Sequence, residues 1–346
     1  MASVIAARTL TEEVKRPPAA LVFVLLLLSL LLLVLLALRV GPVSLSTAEV
    51  WQALWHDDGS LAAMVVRELR LPRLLLAALV GSALALSGAV LQGLFRNPLA
   101  DPGLIGVSSG AALGAVSVIV MGAWWFNPVP LWLLPLMAFL GALAATAVVW
   151  RIATRQAGTD VSLLLLAGIA INALVMALTG VLVYAASDAQ LRELTFWNLG
   201  SVAQATPEQV WLTLPCLLLV WLAMPWLARP LNALLLGEAV AGHLGFSVER
   251  VKRLAVLSVA LSVGAAVSVS GLIGFVGLVA PHLIRLILGA DHRVLLPASA
   301  LLGALLLIAA DTLARTLVAP AELPIGLVMA LLGGPFFLFL LMQRRY

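Results

Sequence analysis

The sequence predicts an all-α polytopic membrane protein of ten transmembrane helices with an inverted internal repeat, and three observations carry that prediction. Of its 346 residues 63% are hydrophobic and 10% are charged, too few polar side chains to cover a soluble domain of this length. Charge-free stretches recur at 17–38, 74–95, 102–150, 161–187, 209–228, 254–284, 294–310 and 323–343, and about 20 apolar residues are enough to cross a bilayer. Basic residues collect in alternate connections, the pattern that orients membrane proteins. The net charge of +4 therefore needs no nucleic acid to explain it. The single cysteine, Cys216, precludes an internal disulfide and offers no thiol cluster to a metal.

The first helix is expected at 20–39. Lys15 and Arg16 ahead of an apolar run resemble the start of a signal peptide, but 22 uncharged residues exceed the usual apolar core, and Arg39 follows without a small-residue cleavage site. The second helix is expected at 72–92, after the arginine-rich RELRLPR. The 102–150 stretch holds two helices, 103–121 and 131–151, separated by WWFNPVP (124–130) with its prolines and interfacial tryptophans. The fifth and sixth follow at 161–184 and 208–228. The 254–284 stretch divides near Ser270 and Gly271 into helices at 252–269 and 272–288, and the last two fall at 295–312 and 325–342. Residues 1–346 thus read as a single transmembrane domain.

An even number of helices puts both termini on one side. With the termini inside, Arg8, Lys15, Arg16, Arg96, Arg151, Arg155, Arg229, Arg250, Lys252, Arg253, Arg285, Arg293, Arg344 and Arg345 are cytoplasmic, most of the 20 basic residues. Arg67, Arg70, Arg73 and Arg315 are then left outside. An arginine at a bilayer centre is unfavourable by roughly 2.5–3.5 kcal/mol, so these belong at an edge. Two roles suit them there: anchoring helix ends among lipid headgroups, with Asp311–Arg315 pairing four residues apart and Glu68 neutralising its neighbours, or docking an acidic partner.

Shifting the chain by 183 residues lays VGSALALSGAVLQGLFRNP (80–98) on VGAAVSVSGLIGFVGLVAP (263–281). The two copies begin in helices that cross in opposite directions, as in the inverted repeats of transporters. Gly106, Gly110 and Gly114, and Gly271, Gly274 and Gly277, have the spacing of close helix packing. The interruption around Gly271–Pro281 suits a broken helix, which membranes tolerate where protein or a cavity covers it.

Chemistry is sparse. The acidic residues fall almost entirely in loops, apart from Asp311, which argues against an ion-coupled secondary transporter. His56, His243, His282 and His292 form no close pair on one helix, and His282 reads as a structural hydrogen-bonding residue. No nucleophile elbow or phosphate-binding glycine loop is present, which argues against an enzyme. A pump with neither an ion site nor an ATP site takes its energy from a partner. The 229–253 connection, RPLNALLLGEAVAGHLGFSVERVKR, is the longest cytoplasmic one and suits either a membrane-surface linker or a turn packed into a partner's groove.

Three long segments carry a resemblance. RLPRLLLAALVGSALALSGAVLQGLFRNPLADPGLIGVSSGA, LLLGEAVAGHLGFSVERVKRLA and GFVGLVAPHLIRLILGADHRVLLPASALLGALLLIAADTLARTLVAPAELPIG resemble the FecCD family of permease subunits of bacterial type II ABC importers for haem, iron–siderophore complexes and cobalamin. The resemblance runs from about residue 60 to the C-terminus. It implies the type II importer permease fold in the bacterial inner membrane, and a homodimer with one pathway between two copies. It also implies two cytoplasmic ATPase subunits, which carry the ATP and magnesium, and a periplasmic substrate-binding protein. No cofactor is implied in this chain, and no metal or catalytic residue. By resemblance Arg70, Arg73 and Arg315 dock the binding protein, while Arg67 is left to anchoring. The 229–253 segment is the coupling loop, with Glu238, Gly242, Gly245 and Arg250 at characteristic positions. The fifth and tenth helices line the dimer pathway. Thr159, Asp160, Val161 and Ser162 form the cytoplasmic gate, although Asp160–Val161 stands where the family has a short hydroxyl run. LRELTFWNLGSVAQA (191–205) resembles the outer loop of haem importers, so haem is the expected cargo, with a siderophore or cobalamin as the alternative.

Overall fold

The computed structural model describes residues 16–343 except 157 and 320. Arg8, Lys15, Arg344 and Arg345 of the predicted cytoplasmic set lie outside the described residues. Helices α1 (Ala19–Arg39), α2 (Thr47–Trp55), α3 (Leu61–Leu94), α4 (Val107–Trp125) and α5 (Leu133–Ala153) lead to a small hairpin of β1 (Thr154–Arg155) and β2 (Gly158–Thr159). Then come α6 (Val161–Tyr184), α7 (Asp188–Leu199), α8 (Pro207–Leu235), α9 (Glu238–His243), α10 (Val248–Ser270), α11 (Val276–Leu288), α12 (His292–Ala314) and α13 (Ile325–Gln343). Among the described residues eight helices are long and apolar enough to cross a membrane, and α11 and α13 are shorter apolar helices. The ten predicted crossings are all present.

The boundaries move where charge was taken as the end of a helix. The second crossing begins at Leu61 rather than 72, because Arg67, Glu68 and Arg70 lie inside the helix. Pro72 has no N–H for the carbonyl four residues back, and its ring displaces that carbonyl. The turn before it widens into a π-segment, Val65–Arg70, with the Leu71 N–H bonded to the Val66 carbonyl. The sixth crossing runs on through Arg229 and Pro230 to Leu235 instead of stopping at 228. The third starts at Val107 rather than 103, since Pro102–Ile105 is a 3₁₀ turn and Gly106 is left-handed at φ +86°.

α3 is the axis of the bundle. From Val80 to Leu94 every residue is buried, and α4, α8, α10, α11 and α12 surround this helix and its neighbours. Small residues make the approach possible. A Cβ at Gly81 would fall on the Gly303 carbonyl of α12, and one at Gly88 on the Gly277 backbone of α11. Residues 80–86 and 263–269 of the proposed repeat are both helical. At the next pair the two halves diverge, for Ser87–Gly88 continues its helix whereas Gly271, at φ +66°, ends one.

The helix break runs over 271–275, so the eighth crossing begins at Val276 rather than 272, and Pro281 lies within α11. Phe275 takes φ +68° at the turn, and its carbonyl accepts the Leu278 and Val279 N–H groups. Pro281 leaves the Gly277 carbonyl without its i+4 donor. Gln92 of α3 fills that role from a buried position, its amide donating at 3.1 Å while its carbonyl accepts from Arg285 at 2.8 Å. His282 sits on the same helix edge-on to Phe336.

Among the described residues three helices, α2, α7 and α9, stand apart from the crossings. α2 opens with a capping box between Ser46 and Glu49, and exposes Trp51 and Trp55, ring centroids 5.8 Å apart, as interfacial aromatics. α7 occupies most of the 191–205 segment and starts with a capping box between Ser187 and Gln190. Gln92→Leu removes the donor to Gly277 and strands a carbonyl in an apolar interior, a loss of about 1–3 kcal/mol. The expected outcome is a lower melting temperature in detergent with unchanged helical content, read by differential scanning fluorimetry and circular dichroism.

Candidate functional site

The predicted functional residues separate to the two ends of the bundle. At one end lie Arg70, Arg73 and Arg315, which the fold brings together from α3 and the end of α12. They do not project outward: their residues are 4%, 8% and 3% exposed. Asp311, fully buried on α12, is their centre. The Arg73 Nε donates to Asp311 Oδ1 at 2.8 Å, and the Arg315 Nε stands 3.7 Å from Oδ2. Arg73 Nη1 also bonds the Glu322 carboxylate at 2.9 and 3.0 Å. The remaining guanidinium donors turn to the C-terminal end of α1. Arg70 donates to the carbonyls of Leu38 (2.5 Å) and Val43, and Arg315 to that of Ala37 (2.5 Å). Carbonyls at a helix C-terminus have no intrahelical partner, and a cation there is favoured by the helix dipole.

Arg67 follows the same logic one turn away. Its donors reach the carbonyls of Ala53 (2.6 Å) and Leu54 (3.2 Å) at the end of α2. Arg67 thus ties down a helix terminus within the protein. The expected Asp311–Arg315 pair is present, with Arg73 as the closer partner. Glu68 is exposed, and the carboxylates near these arginines are Asp57, 3.7 Å from Arg67, and Asp311 and Glu322 beside Arg73 and Arg315.

The opposite end gathers the segments expected to couple and to gate. α9 begins at Glu238 after Gly237 (φ +112°), and Gly245 (φ +89°) turns the chain into α10. Glu238, Gly242, Gly245 and Arg250 are all exposed. The β1–β2 hairpin leads into α6, where Asp160 caps the helix, accepting from Ser162 N at 2.7 Å and Leu163 N at 3.0 Å. Those two N–H groups hold the Asp160 carboxyl below its usual range, with the positive charges of Lys252 and Arg155 adding to the effect. Asp160 is therefore a helix cap, a role that accounts for an acid where hydroxyl residues were expected. Val161 and Ser162 form the first turn of α6. Thr159 is buried and bonds the Glu249 carboxylate through its N–H (3.0 Å) and its hydroxyl (2.7 Å).

Lys252 joins these pieces and was assigned in sequence only to the cytoplasmic basic set. It is 4% exposed, and its amine donates to the Thr159 carbonyl at 2.5 Å and to Glu238 Oε2 at 2.7 Å. Nearby, Asn232 at the end of α8 donates to Asp291 at 2.6 Å and accepts from the His292 N–H at 2.9 Å. Bonds from Arg293 N and Asn232 keep the Asp291 carboxyl below its usual range.

A cavity of about 150 Å³ lies at the helix break, lined by Asp101, Ser108, Leu272, Ile273 and Gly274 among others. It is well below the 300–1,000 Å³ of a drug-sized ligand site. Asp101 faces a low-dielectric interior there, and burial pushes its carboxyl upward despite a bond from Gly103 N. A large cargo does not fit this space.

The fold agrees with comparisons to known proteins. The FecCD transport family matches residues 27–343. The chain belongs to this family. It is 48% identical over 320 residues to the hemin transport system permease protein HmuU of Yersinia pestis, covering 89% of this chain and 91% of that protein. It is 44% identical over 310 residues to the vitamin B12 import system permease protein BtuC of Salmonella typhi, covering 89% and 93%. A solved metal-chelate type ABC transporter in an inward-facing conformation superposes with a TM-score of 0.83 at 33% identity, covering 94% of this chain and 99% of that one. The chain is thus a multi-pass permease of the ABC importer class.

Removing the charge of Asp311 leaves Arg73 and Arg315 buried without their shared counter-ion, and breaking such a pair costs roughly 3–5 kcal/mol. Asp311→Asn is expected to lower the melting temperature sharply and expose α1 to limited proteolysis near residues 37–43, whereas Glu68→Gln leaves both unchanged.

Proposed function

We propose that this permease imports haem across the bacterial inner membrane, from periplasm to cytoplasm, as a homodimer with both termini cytoplasmic. Two cytoplasmic ATPase subunits supply the energy by ATP and magnesium chemistry of their own, and a periplasmic binding protein delivers the cargo. The observation that carries the substrate is the 48% identity to a hemin permease over nearly the whole chain. The vitamin B12 relative at 44% sustains cobalamin as the second reading.

Physical features support the dimer and its pathway. The cavity at the helix break is too small for a macrocycle, and the pathway is assigned to the interface between the two copies. α6 leaves Leu166, Met176 and Val181 exposed at 63%, 70% and 68%, a broad apolar face suited to a second copy and to a flat hydrophobic cargo. The 229–253 segment and the residues 159–162 are assigned to ATPase coupling and to the cytoplasmic gate.

The docking role also takes a more specific form. Arg70 and Arg315 act by holding residues 37–43 in place at the outer face, while Arg73 offers the exchangeable contact. Its partner Glu322 has a side chain 35% exposed, and a carboxylate of the binding protein replaces it. A charge pair formed at the partly exposed Glu322 side of Arg73 sets orientation and association rate and is weakened by salt. Binding-protein affinity, measured by surface plasmon resonance on the permease in nanodiscs, is expected to fall several-fold from 50 to 500 mM salt, and a salt-independent affinity removes the ionic contact.

Proteoliposomes holding the permease, its ATPase and the loaded binding protein test the cargo directly. ATP-dependent accumulation is expected with haem and not with a ferric siderophore or cobalamin. Accumulation of either of the others replaces haem as cargo, and no ATP-dependent uptake of any of the three refutes the importer reading.

A further inference from the structure

Lys252 is the junction at which three separate elements of the basic end meet. Its ammonium lies at the first turns of α10, buried to 4% exposure, and bonds Glu238 at the start of α9 and the carbonyl of Thr159 at the end of β2. Thr159 is held from its other side by Glu249, one turn before Lys252, and its hydroxyl stands 2.9 Å from that of Thr154 across the hairpin. The next residue, Asp160, caps α6. A single cation therefore connects the exposed short helix α9 to the N-terminus of α6 through two hydrogen bonds.

We propose that Lys252 is a positioning residue that transmits displacement of α9 to the entrance of α6, so that the segment contacted by the ATPase and the gate move as one body. This rests on the importer reading above and assigns it a mechanical link. The chemistry favours an ammonium for the task. A buried cation is strongly disfavoured without partners, so Lys252 holds both acceptors at once, and loss of either leaves the buried ammonium with one acceptor fewer. The α9 end of the link is accessible, with the Glu238 side chain 43% exposed, whereas the Thr159 end is sealed. Force therefore enters at Glu238 and emerges at α6. Gly237 and Gly245 bound α9 with positive-φ turns, and the Glu238–Lys252 bond ties it to the first turns of α10, so that α9, the start of α10 and the entrance of α6 move together.

Uptake and ATP hydrolysis measured together in the reconstituted complex test this link. Lys252→Met keeps the length of the side chain and removes its charge. It is expected to retain ATPase assembly and hydrolysis while the cargo moved per ATP falls at least tenfold, and Lys252→Arg is expected to restore most of that ratio. If Lys252→Met proves poorly folded, Glu238→Gln gives the same readout from the exposed partner, with a several-fold loss. In the pair Glu238→Gln with Lys252→Met, the losses are expected to be non-additive, as for residues of one linkage. Wild-type transport per ATP in Lys252→Met, or in Glu238→Gln where the lysine variant does not fold, overturns the link, as do fully multiplicative losses in the pair. Failure of the wild-type complex to couple uptake to ATP at all refutes the importer reading instead.

Discussion

A buried carboxylate between two guanidinium groups holds one end of this protein together. Asp311 is fully buried, so its charge requires Arg73 and Arg315, and theirs requires Asp311. What the arginines do with their remaining donors defines the outer architecture. Three of them clasp carbonyls at the ends of α1 and α2, helices that otherwise have little reason to adhere to the bundle. α1 is the least buried of the membrane-crossing helices, and apolar packing against α12 cannot by itself fix its height, because lipid tails are as apolar as its partner. Directional bonds to Ala37, Leu38 and Val43 supply that register.

The basic end is built on the same principle. There the buried cation is a lysine, its acceptors belong to short segments rather than long helices, and one acceptor is open to solvent. Each network keeps its cations buried and has one partly exposed carboxylate, Glu322 at the first end and Glu238 at the second. Between the two, close glycine contacts of α3 with α11 and α12 form a rigid axis, and Gln92 completes the hydrogen bonding that Pro281 leaves open. The helix break is thereby a built feature of the interior.

Much of this was legible in the sequence. The number of crossings follows from charge-free length, and the two-ended distribution of charge follows from the positive-inside bias. The arginines at 67, 70, 73 and 315 stood out because a bilayer protein places such residues at a cost, and the i, i+4 spacing exposed the Asp311–Arg315 pair. Their orientation was not legible: an arginine turned outward to a partner and one turned inward to a helix terminus have the same sequence signature. The boundary of α3 was missed because charged residues mark the end of an apolar run without ending a helix. Lys252 and Glu249 were invisible as a linkage, since their partner Thr159 lies 93 and 90 residues away and supplies main-chain groups that no side-chain pattern reports.

The central claim is that α9 and the start of α6 form one mechanical unit at the ATPase-facing end. Spin labels at the exposed positions Val240 and Ser162, in a Cys216→Ser background, allow double electron–electron resonance distances to be read in the assembled complex with and without trapped ATP. The account predicts that the distance between the two labels within one chain stays constant while the Ser162 distance between the two copies changes. A change within the chain, with the distance between copies unaltered, would contradict it.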